Sequence, residues 1–389
     1  MTSTINITSA NVDALPSIAG LPDWDELLAP APVGVAIVSQ LLIYASQLKS
    51  DFAFVQHSDD KERFNVIRVP DSFRTTMWQI AKESYETFAK AHNIMENFLL
   101  QTDQVPGYAK DCVMYALNVN RENLKKLLGE RLVKIKEAAD DGARLTNQVC
   151  DAFDLLEQLI NHVIEASSLT MSQIEKKRAF VDFEQLMKME VKEKGGIKED
   201  EKMQKGFDLC QLDIISDQNE TLRKVLNDLG HLLAKCSSIH RFFNTIRNHF
   251  MKVTFPRLNE FTTVAGETLV DAYSSFLMGE LNKSLKDLES CYKTHHSAAK
   301  LYVRVSDKHI MKSINLMHSM LSIPLSEVEG AQIKLMASCE EATKGIQDIY
   351  NEERAEATRE IEKQNSSTMG NSELLSSLVS TCPPQSTNN

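Results

Sequence analysis

The chain has 389 residues, and its 43 Lys and Arg against 54 Asp and Glu give a formal net charge of −11. Nucleic-acid-binding domains carry a basic surface, so this acidic balance excludes nucleic acid as an expected partner. Only 14 glycines and 10 prolines occur, about half the usual share of each, and this shortage of turn-forming residues favours long helices.

The seven cysteines are scattered and never closer than 26 residues, so the sequence predicts neither a disulfide framework nor a zinc knuckle. No Lys, Arg or His precedes Lys49, so the positive start of a signal peptide is missing. The apolar stretch 33–45 has 13 residues, short of the ~20 that a spanning helix needs. We therefore expect a cytoplasmic protein without a transmembrane helix, with leaderless secretion as an alternative.

Prolines and composition divide the chain into three parts. Residues 1–32 contain four prolines and predict an irregular N-terminal arm. Residues 364–389 are rich in Ser, Thr and Asn and predict a disordered tail. The part between them, 33–363, is predicted to form a single elongated helical bundle. No strand pattern with turn residues occurs, so the predicted class is all-α with no sheet.

The first two helices are predicted at the start of this bundle. One covers about 33–56. The next begins at a cap formed by Asp71 or Ser72 and ends at Pro106-Gly107, because a proline interrupts helical hydrogen bonding.

The strongest pattern lies in the proline-free stretch that follows. Two segments place apolar or small residues at alternating steps of three and four, which is the coiled-coil period. These seams are Ile135, Ala138, Gly142, Leu145, Val149, Ala152, Leu156, Leu159, Val163, Ala166 and Leu222, Val225, Leu229, Leu232, Cys236, Ile239, Phe243, Ile246, Phe250, Val253. They predict a long antiparallel hairpin over about 108–255 that reverses near Gly195-Gly196, with coiled-coil-like seams between its helices.

Motifs that carry chemistry are missing. The sequence has no glycine-rich phosphate loop, no His-Glu-x-x-His motif and no Gly-x-Ser-x-Gly motif. Cys236 and His240 have metal-compatible spacing, but Cys236 falls in a seam, which favours a core thiol. We therefore predict no catalytic residue, no metal site and no cofactor, and hence a protein that is not an enzyme.

One basic stripe stands out on the helix predicted after Pro256. Its side chains fall within about 120° of the helix circumference. They are Lys283, Lys286, Lys293, Lys300, Arg304, Lys308 and Lys312. The favoured interpretation is ion pairing with acidic residues of the final helix. The alternative is binding to an anionic membrane or an acidic partner.

A second candidate surface is the apolar N-terminal helix. Its possible membrane-inserting residues are Val33, Val35, Ile37, Val38, Leu41, Leu42 and Ile43. In outline, a chain with long heptad-like helices and an apolar N-terminal helix is similar to the α-helical pore-forming toxins. A long helical bundle with a basic stripe is similar to the membrane-curving BAR modules. Both resemblances imply action on membranes.

Two main functions follow from these patterns, and an enzyme with a dispersed all-α site is a third, less favoured alternative. The first is a non-enzymatic interaction or scaffold protein that binds a protein partner or another copy through its helical seams. The alternative is a membrane-active helical protein, pore-former-like or curvature-binding, with residues 33–45 as its apolar element.

Overall fold

A computed structural model describes residues 24–54, 63–192, 200–268, 275–320 and 324–380. Every regular element in these ranges is helical, which confirms the all-α class. The helices are α1 (Trp24–Leu28), α2 (Pro30–Gln47), α3 (Phe73–Asn118), α4 (Arg121–Lys192), α5 (Asp200–His249), α6 (Phe255–Glu267), α7 (Ser275–Val305), α8 (Met311–Met320) and α9 (Leu325–Ser380). Five-residue π-helical turns join α5 to α6 at Phe250–Thr254 and α7 to α8 at Ser306–Ile310.

The long helices pack side by side in alternating directions. Along α4 and α5, Phe153 stacks on Phe243 with ring centroids 5.3 Å apart, and Glu175 pairs with Arg223 at 3.0 Å. Residue numbers thus rise along α4 as they fall along α5, so the two helices are antiparallel, as predicted. The expected reversal near 195–196 lies outside the described residues.

The two predicted seams lie in the core of this bundle. Nine of the ten positions in each are buried, and only Ala138 and Val253 are half-buried. Neighbouring side chains outside the seams, such as Phe153 and Phe242, are buried as well because other helices also cover α4 and α5. The bundle is elongated: α4 alone has 72 residues, about 108 Å at 1.5 Å per residue.

The N-terminal boundary differs from the prediction. Residues 24–32 were expected to be irregular, but α1 begins at Trp24 and α2 at Pro30, and α2 ends at Gln47 instead of about 56. Proline is compatible with the first turn of a helix because its missing N–H has no partner there. Residues 1–23 lie outside the described part.

The predicted helix end at Pro106 is also wrong. Ser72 caps α3 by accepting a hydrogen bond from the Thr75 N–H, as expected, but α3 then continues through Pro106 to Asn118. The hairpin therefore begins at Arg121 and not near 108. Val105 and Ala109 are buried on either side of Pro106, and this packing offsets the cost of about 3 kcal/mol for an internal proline.

The final helix extends beyond its predicted end at residue 363. It runs to Ser380, through much of the segment predicted to be a disordered tail. Ser, Thr and Asn each cost less than about 1 kcal/mol in a helix interior, and the next prolines are Pro383 and Pro384. Composition alone therefore does not end this helix. Residues 381–389 lie outside the described part.

Two glycines provide a test of the packing between α4 and α5. A Cβ on Gly142 would lie 2.6 Å from Cζ of the buried Phe250 ring, whereas a Cβ on Gly230 would have no neighbour within 4 Å. Gly142→Ala is expected to lower the free energy of unfolding by about 1–3 kcal/mol through overpacking. Gly230→Ala should raise it by up to about 1 kcal/mol because alanine favours the helix. Urea unfolding measures both, and equal shifts of one sign would contradict this packing.

Candidate functional site

The N-terminal helices contain an apolar segment, residues 27–48, with no charged residue between Glu26 and Lys49. Within the described ranges, Trp24–Gln47 is the single helical stretch long and apolar enough to cross a membrane, with a mean hydropathy of 1.8 over its best 18 residues. The apolar stretch expected from the sequence, residues 33–45, was too short because the helix also includes Pro30 and Pro32. Core helices of globular proteins can have this length and composition too, so the cytoplasmic location stays a prediction.

The structure places the apolar segment inside the bundle. Of the seven candidate inserting residues, Val35, Val38, Leu41, Leu42 and Ile43 are buried, and Val33 and Ile37 are half-buried. Trp24, just before the segment, packs edge-to-face on Phe242 of α5, with ring centroids 5.5 Å apart. The five buried residues therefore belong to the core, and Ile37 packs against it.

Side-chain hydrogen bonds join this segment to α9. The Ser39 hydroxyl donates to Oε1 of Gln332 at 2.9 Å, and Nε2 of Gln332 donates to the Ala36 carbonyl at 3.2 Å. Thr343 donates to the Ala29 carbonyl at 3.2 Å. These bonds satisfy polar groups in an otherwise apolar contact, and each contributes about 0.5–1.5 kcal/mol.

The basic stripe is split by its environment. Lys300 lies 3.2 Å from Glu353, and Arg304 pairs with Glu353 and, at 2.9 Å, with Glu352. Burial opposes the charge on Lys300, but hydrogen bonds and charge from Glu353 and Glu356 outweigh it and raise its pKa. The centre of the stripe thus faces α9.

The ends of the stripe differ from its centre. Lys283, Lys286, Lys308 and Lys312 are exposed and form no ion pair within the described ranges. Lys293 is half-buried and has a partner. The seven residues therefore do not form one continuous free surface.

Two histidines, His295 buried and His249 half-buried, meet beside the first π-helical turn. Nδ1 of His249 is 2.9 Å from Nε2 of His295, which is also 2.8 Å from the Thr254 hydroxyl. Burial lowers the pKa of His249 to about 4, and burial together with His249 lowers the pKa of His295 well below its usual value. The two histidines are 46 residues apart on different helices, so no local pattern indicated this pair.

The side chains that could bind a metal are not the Cys236 and His240 pair considered from the sequence spacing. Cys236 is buried in an apolar seam, and burial raises the pKa of its thiol to about 12, so the metal-binding thiolate is disfavoured. His240 instead faces Asp154 and Glu157 of α4, and the ligand atoms of these three side chains lie within 4.8 Å of one another. Sequence spacing did not indicate this cluster because its members come from two helices.

Part of the hairpin formed by α4 and α5 is exposed. From Glu175 to Phe180 every side chain on α4 is exposed, including Lys176, Lys177 and Arg178. Phe180 is 64% exposed, and Phe183 and Ile214 are exposed as well. Basic and apolar side chains thus occur together on this part of the hairpin.

Comparisons with protein-family models, with curated proteins and with solved structures found no match to this chain.

Proposed function

We propose that this protein is membrane-active and that the apolar segment, residues 27–48, leaves the bundle to enter a lipid bilayer. The observation that carries the proposal is the uncharged length of this segment. Its 22 residues span about 33 Å as a helix, which matches the ~30 Å hydrocarbon core of a bilayer. Glu26 and Lys49 would then lie at its two ends, near the polar headgroups.

The energetics of the segment suit a protein with two environments. In water, burial of each large apolar side chain contributes about 1.5–3 kcal/mol, so the segment stays in the bundle. A bilayer offers an equally apolar surrounding, so release into lipid does not forfeit this contribution. The hydrogen bonds of Ser39 and Thr343 are local polar contacts that insertion would break.

The exposed part of the hairpin supports a first contact with the membrane surface. Lys176, Lys177 and Arg178 would meet anionic headgroups, each contributing about 1 kcal/mol near the surface. Phe180 and Phe183 are aromatic side chains of the kind that enter the interface of a bilayer. The centre of the basic stripe contacts α9 instead, so we assign the stripe no role in this contact.

A disulfide between α2 and α9 tests the release of the segment. We expect the wild-type chain to release dye from vesicles that contain anionic lipid. Ser39→Cys with Gln332→Cys, once oxidised, should lose this activity because it fixes α2 to α9, and reduction should restore it. The matched control is Ser313→Cys, which would form a disulfide with Cys339 of α9 and leave α2 free. In the native chain, Oγ of Ser313 lies 3.7 Å from Sγ of Cys339. Equal dye release by the oxidised and reduced double variant would refute the proposal.

Intrinsic fluorescence gives a second, independent readout. The chain has two tryptophans, Trp24 and Trp78, so Trp78→Phe leaves Trp24 as the only one. We expect bilayer-embedded quenchers to reduce Trp24 emission when vesicles are added, because Trp24 leaves its contact with Phe242. Unchanged emission in the presence of bound vesicles would mean that the segment stays in the core.

The second candidate function is a protein-interaction scaffold. Phe180, Phe183 and Ile214 expose apolar surface on the hairpin, and such surface can also bind a protein or another copy of the chain. Phe180→Ser with Phe183→Ser should then lower the self-association measured by analytical ultracentrifugation. Under the membrane proposal the same variant should weaken vesicle binding and leave the association state unchanged.

A further inference from the structure

The cluster of Asp154, Glu157 and His240 has the composition of a transition-metal site. Asp154 and Glu157 are three residues apart on α4, so their carboxylates lie on the same side of the helix. His240 reaches them from α5, with Nδ1 3.2 Å from Oε1 of Glu157 and Nε2 3.6 Å from Oδ1 of Asp154. The His240 ring stacks on Phe153 at a ring-centroid distance of 6.3 Å, and this contact fixes its plane.

The hydrogen bond to Glu157 determines which nitrogen is free. An ionised carboxylate only accepts hydrogen bonds, so Nδ1 carries the proton that is shared with Glu157. In the neutral ring, Nε2 therefore has a lone pair that points toward a second carboxylate. His240 is 8% exposed, and Nε2 is buried without a hydrogen-bond partner among the protein atoms. A cation bound between this nitrogen and the carboxylate would satisfy both groups.

The separation of the two atoms is longer than a direct hydrogen bond and fits a bound metal ion. An N–H···O hydrogen bond spans about 2.7–3.2 Å, so 3.6 Å from Nε2 to Oδ1 of Asp154 is too long. Zinc bonds to His nitrogen and carboxylate oxygen are about 2.0–2.2 Å in tetrahedral geometry. Two such ligands lie about 3.3–3.6 Å apart, which agrees with the observed distance.

We propose that Asp154, Glu157 and His240 form a binding site for one divalent transition-metal ion, with Zn²⁺ as the best-suited occupant. Nε2 of His240 and Oδ1 of Asp154 bind the ion directly. Glu157 is a positioning residue that holds the His240 ring through Nδ1, as carboxylates commonly do for metal-binding histidines. The Asp154 side chain is 51% exposed, so the ion enters from solvent and water completes its coordination. A bound ion would join α4 to α5.

The site is independent of the proposed membrane function, and metal binding itself is the readout. The full chain, stripped with a chelator, is titrated with Zn²⁺ by calorimetry and with Co²⁺ by visible absorption. We expect one saturable site per chain. The absorption spectrum of bound Co²⁺ should indicate a low coordination number. His240→Gln and Asp154→Asn should each weaken binding at least tenfold, and Glu157→Gln by about 10–100-fold because the ring loses its orientation.

Two controls make the result specific. His231→Gln removes an exposed histidine from the same helix and should leave the affinity unchanged. Circular dichroism of the metal-free variants separates loss of the site from loss of the fold. If His240→Gln fails to fold, Asp154→Asn carries the test because that side chain is half-exposed.

Two outcomes would overturn the proposal. One is the absence of saturable Zn²⁺ binding to the wild-type chain. The other is an affinity that His240→Gln and Asp154→Asn leave unchanged, which would place the bound ion elsewhere.

Discussion

Phe243→Ala is expected to lower the free energy of unfolding by about 3–5 kcal/mol, the usual cost of removing a buried aromatic ring. Phe243 is 1% exposed and joins three long helices. Its ring stacks on Phe153 of α4 and meets Tyr302 of α7 edge-to-face, with a ring-centroid distance of 4.9 Å to Tyr302. Alanine would leave a cavity where these helices meet. Urea unfolding of the wild type and the variant at neutral pH measures the loss of stability.

Phe180→Ala provides the matched control for this prediction. The same side chain is removed from the exposed part of the hairpin, so the free energy of unfolding should change by less than about 0.5 kcal/mol. Phe243→Leu should recover part of the loss because it fills part of the cavity. A loss at Phe180 as large as that at Phe243 would contradict the burial described for the two sites.

Acidification is expected to destabilise the bundle through the pair formed by the half-buried His249 and the buried His295. Both histidines have a pKa below 6.5 in the folded protein, about 4 for His249, because burial disfavours their charged forms. The unfolded chain therefore binds more protons than the folded one below pH 6.5, so stability falls as the pH falls toward 4. The free energy of unfolding should therefore be lower at pH 5 than at pH 7, and His249 alone should contribute roughly 1 kcal/mol because its side chain is only half-buried.

Variants separate this effect from that of other titrating groups. His249→Gln keeps a polar side chain beside His295 and removes one proton-binding site, so the fall in stability between pH 7 and pH 5 should be smaller. His231→Gln, at an exposed position, should retain the full pH dependence. Urea unfolding at pH 7, 6 and 5 measures all three chains. An identical pH dependence in His249→Gln would exclude the buried pair as its source.

The fold could be predicted from sequence where local pattern and tertiary packing agree. The alternating steps of three and four from Ile135 to Ala166 and from Leu222 to Val253 marked two core-facing surfaces, and nine positions of each are buried. Their antiparallel pairing is also observed. The prediction of helix ends was poorer because the effect of a proline on a helix depends on its position in the helix and on the packing of its neighbours. Pro30 lies in a first turn, and Pro106 lies between buried residues.

The candidate sites divide in the same way. Sequence alone showed that residues 27–48 carry no charge and how the seven basic residues are spaced, because both depend on neighbours along one chain segment. Only the tertiary structure decided that the apolar segment is buried, that Lys300 and Arg304 meet Glu353, and that His240 faces Asp154 and Glu157. The residues in these contacts are at least 49 positions apart in the sequence. Their contacts depend on the register and rotation with which the helices pack. A single sequence specifies that register only through the summed packing of the whole core.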